Sequence, residues 1–401
     1  MTRLNPIHRL SADEIDIKAG LGDIAAATAA LKAAIGRLEP RRVIILIHGF
    51  EYDPRLQGGA RDPYRAVFWE APARTGRYDP APREHQTHRS PWLTRLDHGP
   101  EELVICYAYA SFPGGRHEFD GVGTLIAKAL RFYHNRLTTL EWRGQPVNLF
   151  AYAYAQATLW GEGLAAVIAA LALALPDGPK VDILCHSLGA RVATAAIKRL
   201  GFAHEHQHGV ERVGRVLMLA GAVAAPQIRH MRRGIEEASP KSDGIEFYNF
   251  ATSADAVLRL IGAPLVQYAA HALADREVED WAPSILRGLI NPVAMIGVDG
   301  GGRAAAGLRW RDFELDCPKT MEWGRGLGVD LVGDLPDCRF DHWLHYSHAD
   351  NWRLYNAILT GRPNWRPEQL TTGFAAADAR EIPPLPGQGG GSRRSLLGLF
   401  R

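Results

Sequence analysis

A serine hydroxyl acts as a nucleophile only where the chain bends sharply enough to present it beside a base. Ser187 lies in such a run: Val181-Asp182-Ile183-Leu184-Cys185-His186-Ser187-Leu188-Gly189-Ala190-Arg191-Val192. An apolar stretch suited to a buried strand leads in, and a helix-forming stretch leads out. Small residues stand two positions before the serine, at Cys185, and two after it, at Gly189. This spacing predicts a strand–turn–helix elbow with Ser187 at its apex and the side chain lifted above a sheet. At a helix N-terminus the dipole and free N–H groups favour a developing oxyanion.

The hydroxyl needs a general base, and the base needs an orienting carboxylate. Asp255 follows an apolar stretch, in Phe250-Ala251-Thr252-Ser253-Ala254-Asp255-Ala256-Val257. Aspartate there also suits an N-cap for the residues after it. The histidines beyond Asp255 are His271, His342, His345 and His348, three of them in Asp341-His342-Trp343-Leu344-His345-Tyr346-Ser347-His348. Any one of them is equally suited to packing or capping.

The elements that would position these residues alternate. Val43 to Ile47 is a β-branched run ending in His48-Gly49-Phe50. Further strands are expected at Glu102 to Tyr109, Val147 to Tyr154, Lys180 to His186, Val213 to Ala220, Ile245 to Ala251 and Leu308 to Leu315. Helices are expected at Ile15 to Leu38, Thr124 to Leu140, Gly161 to Leu175, Leu188 to Arg199 and Asn351 to Leu359. Continuous apolar strands alternating with helices predict an α/β domain with a mostly parallel sheet covered on both faces. Residues 1–40 read as an N-terminal helical segment and 41–382 as the main domain. Residues 52–100 and 262–340 read as inserted lid or cap segments. Residues 383–401, rich in Pro, Gly and Ser, read as a disordered tail.

The segments Ile44 to Phe50 (IILIHGF) and Val181 to Val192 resemble the α/β-hydrolase superfamily, in particular bacterial serine hydrolases of unassigned substrate. By order of elements the resemblance spans Arg41 to Leu359, and its specific motifs occupy four short segments. One departure is Cys185, which stands where the family's elbow carries glycine. The resemblance implies the chain order serine, acid, histidine. It implies Ser187 as nucleophile, Asp255 as acid and His342 as base, with His348 and then His345 as alternatives. It further implies an oxyanion hole formed by the backbone N–H groups of Leu188 and Phe50, with Glu51 as an alternative second donor.

The expected activity is cleavage of a carboxylic ester through an acyl-enzyme, on a small-molecule or lipid-like substrate. A lipase, thioesterase or acyltransferase would use the same site. A binding protein that kept the fold is the reading from another class. No cofactor is expected. The His204-Glu205-His206-Gln207-His208 run has no companion ligands that would fix a metal's geometry. Asp299 to Gly302 lacks both a phosphate-loop lysine and a dinucleotide fingerprint. A net charge of +2 on 401 residues, with scattered basic side chains, gives no footprint for nucleic acid. Leu164 to Leu175 is shorter than the ~20 apolar residues that span a bilayer. Four cysteines without ligand-like spacing and an N-terminus without an apolar leader point to a reducing, cytoplasmic setting.

Overall fold

The structure is a computed structural model, and it describes residues 7–11, 39–50, 52–54, 62–68, 92–99, 101–111, 139–142, 145–202, 207–238, 244–253, 255, 257–259, 294–326, 328–331, 342 and 344–360. Seven strands form one sheet: β1 (Ile7–Ser11), β2 (Arg42–Ile47), β3 (Glu102–Ala108), β6 (Val181–His186), β7 (Val213–Leu219), β8 (Glu246–Ala251) and β9 (Arg309–Glu314). Their order across the sheet is β1-β3-β2-β6-β7-β8-β9. Every neighbouring pair is parallel. A separate antiparallel hairpin joins β4 (Thr139–Trp142) to β5 (Gln145–Asn148).

A parallel sheet must be covered on both faces, and the alternation along β2 shows how. Val43, Ile45 and Ile47 face one apolar layer, which contains α1 (Leu149–Ala174), α2 (Leu188–Phe202) and α3 (Ala225–Ala238). Ile44 and Leu46 face the other, which contains Trp92, Phe68, Tyr346 and the helix α4 (Ala349–Thr360). All six residues of β2 are buried, as are all six of β6.

Several elements differ from their sequence expectation for identifiable reasons. Leu149 to Tyr154, the greater part of the strand expected at Val147 to Tyr154, belong to the 26-residue α1. That stretch is alanine-rich, and alanine favours helix more than an isolated aromatic favours strand. The span Gln156–Ala174 within α1 is long and apolar enough to cross a membrane, yet 67% of it is buried inside the protein. The first forty residues contribute a strand, β1, at the sheet edge; the helix expected from Ile15 lies outside the described residues. Thr139 and Leu140, expected to end a helix, are strand.

Both expected lid segments also carry framework. Tyr52, Tyr64, Val67, Phe68, Trp92, Leu93 and Leu96 are buried in the second apolar layer. Within 262–340, β9 pairs with β8 over Glu246↔Arg309 to Ala251↔Glu314, so this part is a sheet strand and no appendage. The tail 383–401 lies outside the described residues.

The N-terminal edge of the sheet holds a polar cluster. The Asp182 carboxylate accepts the Arg215 backbone N–H at 2.9 Å, and the Arg215 guanidinium lies 3.6 Å from both Asp182 and Glu246. Burial pushes the Asp182 carboxyl up from 3.8 to about 6, against the pull of Arg215. The folded state therefore binds this proton more tightly than the unfolded chain does. Stability from this group is lost as pH rises from about 4 to about 6 and amounts to about 3 kcal/mol over that window. Chemical denaturation at pH 4.5 and pH 7 should show this loss in the native protein relative to Asp182→Asn, whose amide keeps the acceptor and does not titrate.

Candidate functional site

The chain reverses its direction across the sheet beside β2. From β2 it runs outward to β3, and it returns to place β6 on the other side of β2. In open α/β sheets the crevice beyond the carboxyl ends of the strands at such a switch point is where ligands bind. Here β2 and β6 pair in register, with Ile47 beside Cys185. Their C-terminal ends release His48-Gly49-Phe50 and Ser187-Leu188 side by side.

Ser187 has φ 52°, in the left-handed region that non-glycine residues rarely occupy. Such a backbone costs of order 1 kcal/mol and persists only where the surroundings over-determine it. They do so here. The Ser187 N–H donates to the Leu219 carbonyl at 2.9 Å, and the Ser187 carbonyl accepts from Ala222 at 2.9 Å and Ala190 at 3.0 Å. Helix α2 begins at Leu188, so its first N–H groups have no partner within the helix. Cys185 is fully buried, and its thiol donates to the Leu217 carbonyl at 3.3 Å, so a small polarizable side chain fits at the end of β6.

Gly189 is what lets α2 stand so close to β2. A Cβ there would meet the His48 carbonyl oxygen at 2.5 Å and that of Ile47 at 2.7 Å. A Cβ on Gly49 would meet His186 Nδ1 at 2.9 Å and the Ser187 Cβ at 3.0 Å. The two loops therefore interlock through glycine on both sides.

The loop after β2 is pinned from β3. Tyr109 donates its backbone N–H to His48 Nε2 at 3.0 Å and its hydroxyl to the His48 carbonyl at 2.7 Å, with the two rings stacked at 4.2 Å. His48 Nδ1 donates to the Gly49 carbonyl at 2.8 Å, and Ser111 donates its hydroxyl to the same oxygen at 3.1 Å. Burial lowers the His48 pKa to about 3, so the ring is neutral and its tautomer is set by these partners. Phe50 is half-buried against the first apolar layer. Glu51 lies outside the described residues.

Of the three neighbouring histidines, His342 meets the candidate acid. Its Nδ1 lies 2.6 Å from Asp255 Oδ2, and both residues are buried. Burial pushes the Asp255 carboxyl up, but the His342 charge and hydrogen bond, with the Leu258 N–H, outweigh it and hold the carboxyl below its ordinary value. Asp255 Oδ1 accepts that Leu258 N–H at 3.0 Å, so the residue is at once a cap and a partner of His342. An imidazole held through Nδ1 by a carboxylate presents Nε2 as the acceptor, the tautomer a general base requires.

The link between this pair and the elbow is His186, a residue the sequence marks only as part of the turn. Its ring lies 4.7 Å from the His342 ring and 4.8 Å from Tyr346, and its Nε2 donates to the His342 carbonyl at 3.1 Å. Burial, and then the neighbouring His342, keep His186 neutral. His348 is half-buried, and no hydrogen bond joins the fully buried His345 to Asp255. Asp316, at the end of β9, braces the acid loop: it accepts the Ser253 N–H at 3.2 Å and the Ser253 hydroxyl at 2.5 Å. The only sequence signal for that brace is an aspartate just beyond a strand.

Among the described residues no group of three or more His, Cys, Asp or Glu side chains could hold a metal ion. His204 and His206 lie outside the described residues. Comparison with models of known protein families, with curated proteins and with solved structures finds no match.

Gly189→Ala should force α2 off β2, because the obstacles are backbone oxygens that a rotamer change cannot move. Overpacking of this kind costs about 1–3 kcal/mol. The expected result is a melting temperature lowered by several degrees, measured by calorimetry.

Proposed function

We propose that this protein is a serine hydrolase of the α/β-hydrolase type that cleaves a carboxylic ester. The observation that carries the reading is the Asp255–His342 bond of 2.6 Å, joined through His186 to a serine held at φ 52° on a strand–helix elbow. A structural turn has no need of a strained serine, a bonded acid–imidazole pair and a helix start at one sheet edge. The order Ser187, Asp255, His342 along the chain agrees with this type.

In this reading the Ser187 Oγ attacks the ester carbonyl carbon while His342 Nε2 takes the hydroxyl proton. Asp255 holds the imidazole in the correct tautomer and stabilises the imidazolium. The carbonyl oxygen gains charge and is held by the N–H groups of Leu188 and Phe50, each such donor being worth about 10²–10³ in rate. Collapse of the tetrahedral species breaks the bond to the alcohol, which leaves with the proton from His342. A water then attacks the acyl-serine by the same route in reverse, releasing the acid and restoring Ser187. His48, Tyr109 and Ser111 fix the β2 loop that carries the Phe50 donor.

The purified protein should hydrolyse short-chain p-nitrophenyl esters with a burst of nitrophenol. Ser187→Ala should lower kcat by about 10⁴–10⁶, and Asp255→Asn by about 10⁴. A fluorophosphonate probe should label Ser187, as read by peptide mapping. Full turnover by Ser187→Ala would refute the assignment, and an unlabelled, folded native protein would favour a binding role. A panel of lipid, thioester and acyl-acceptor substrates separates esterase from lipase, thioesterase and acyltransferase.

A further inference from the structure

The sheet has a second end. Its parallel strands β2, β3, β6, β7, β8 and β9 all begin on the side away from Ser187, and a cavity of about 560 Å³ lies against their first residues and the last turn of α4. That volume is typical of sites for small organic molecules. Asp182, in the cavity wall, and Ser187, just past the end of β6, are about 17 Å apart along the extended strand. The cavity is therefore separate from the crevice at Ser187.

Parallel pairing gathers the polar starts of distant strands here. β2, β3, β8 and β9 open on Arg42, Glu102, Glu246 and Arg309. Their charges do not balance. Glu246 is shared by three guanidiniums, Arg309, Arg215 at 3.6 Å and Arg311 at 3.9 Å. Asp182 draws on the same Arg215, also at 3.6 Å, and Glu102 meets Arg42 at 2.6 Å. Lys180 donates to the Gly244 carbonyl at 3.3 Å and meets no carboxylate among the described residues. Five cations thus share three carboxylates, an excess of two positive charges. Arg41, also in the wall, has its own partner in Glu101 at 2.9 Å.

Arg42 turns this excess into a site. Its side chain is only 10% exposed, and Nη2 makes its hydrogen bonds, to the Asp97 carbonyl at 2.7 Å and to Glu102. Nε and Nη1 are buried without a partner, so three N–H bonds of a charged group stay unmet. A clasp between strand starts needs the Arg42–Glu102 bond and leaves the spare donors beside a cavity without a purpose. Lys180 is exposed at the rim, and glycines keep its surroundings open. A Cβ on Gly214 would come within 3.0 Å of the Lys180 Cβ, and one on Gly244 within 3.3 Å of its ammonium.

We propose that this cavity binds a small organic phosphate, with its dianionic group held by Arg42 and Lys180 at the end of the sheet opposite Ser187. A phosphate monoester carries nearly two negative charges at neutral pH, which matches the excess. Its three terminal oxygens accept from a guanidinium and an ammonium together. The cavity exceeds a phosphate group in size and so has room for the organic part. Binding needs no chemistry at Ser187 and is independent of the hydrolase reading.

Titration calorimetry with glycerol 3-phosphate, against sodium chloride at matched ionic strength, should show saturable binding to one site. Lys180→Gln, at an exposed position that folding tolerates, should weaken it about 10–100-fold, the worth of a hydrogen bond to a charged group. Arg42→Lys keeps a cation for Glu102, removes the spare guanidinium donors and should weaken binding to a similar degree. Ser187→Ala should bind as the native protein does. Inorganic phosphate should bind more weakly than the ester, and succinate more weakly still. No saturable binding at millimolar ester would overturn the proposal, as would ester binding that a folded Lys180→Gln leaves unchanged. Inorganic phosphate or succinate binding as tightly as the ester would overturn the assignment to an organic phosphate.

Discussion

The close approach of helix α2 to the end of β2 is the constraint on which the site depends. It exists because Gly189 presents no side chain to two carbonyl oxygens at the end of β2. With the helix pressed there, the preceding residue pair must turn within a very short span, and Ser187 is driven into the left-handed region. The same approach sets the start of α2 against the loop after β2. The strained serine would not survive a wider separation. Bonds to Leu219 and Ala222 then hold the strained turn against relaxation.

Much of this architecture was legible in the sequence because parallel strands buried on both faces are continuous apolar runs. β2, β3, β6, β7 and β8 follow that rule within a residue or two of their expected limits, while the edge strand β9 lies at its expected place although charged and only partly buried. The elbow was legible for a related reason: small residues at Cys185 and Gly189 flank a serine where strand gives way to helix. The pairing of Asp255 with His342 was harder to read. Residue types and chain order suggest it, but only folding decides which of three nearby histidines meets the carboxylate, and here the geometry selects His342.

What could not be read lies in tertiary context. Phe150 to Tyr154 carry aromatic residues that favour strand locally, and the buried helix α1 overrides them. The segments 52–100 and 262–340 lack periodicity and so read as peripheral, yet their described parts supply buried apolar side chains to the core. Their apolar residues are isolated along the chain, and long-range packing alone gathers them. His186 shows the same limit at the site. Its role comes from a ring contact with His342, and nothing in its neighbours along the chain announces that contact.

The pairing of β2 with β6 also bears on how the molecule is made. Val43 must find Val181, and the chain between them is as long as many whole domains. On a ribosome β2 emerges early as an unpaired row of backbone donors and acceptors, and its central neighbour is synthesised only after the apolar helix α1. Until then a sticky strand and a helix with the hydropathy of a membrane span are both exposed. Contacts this distant in sequence form slowly, and such intermediates aggregate or recruit chaperones. The arrangement that brings the loop after β2 beside Ser187 thus makes the protein's birth its most vulnerable period.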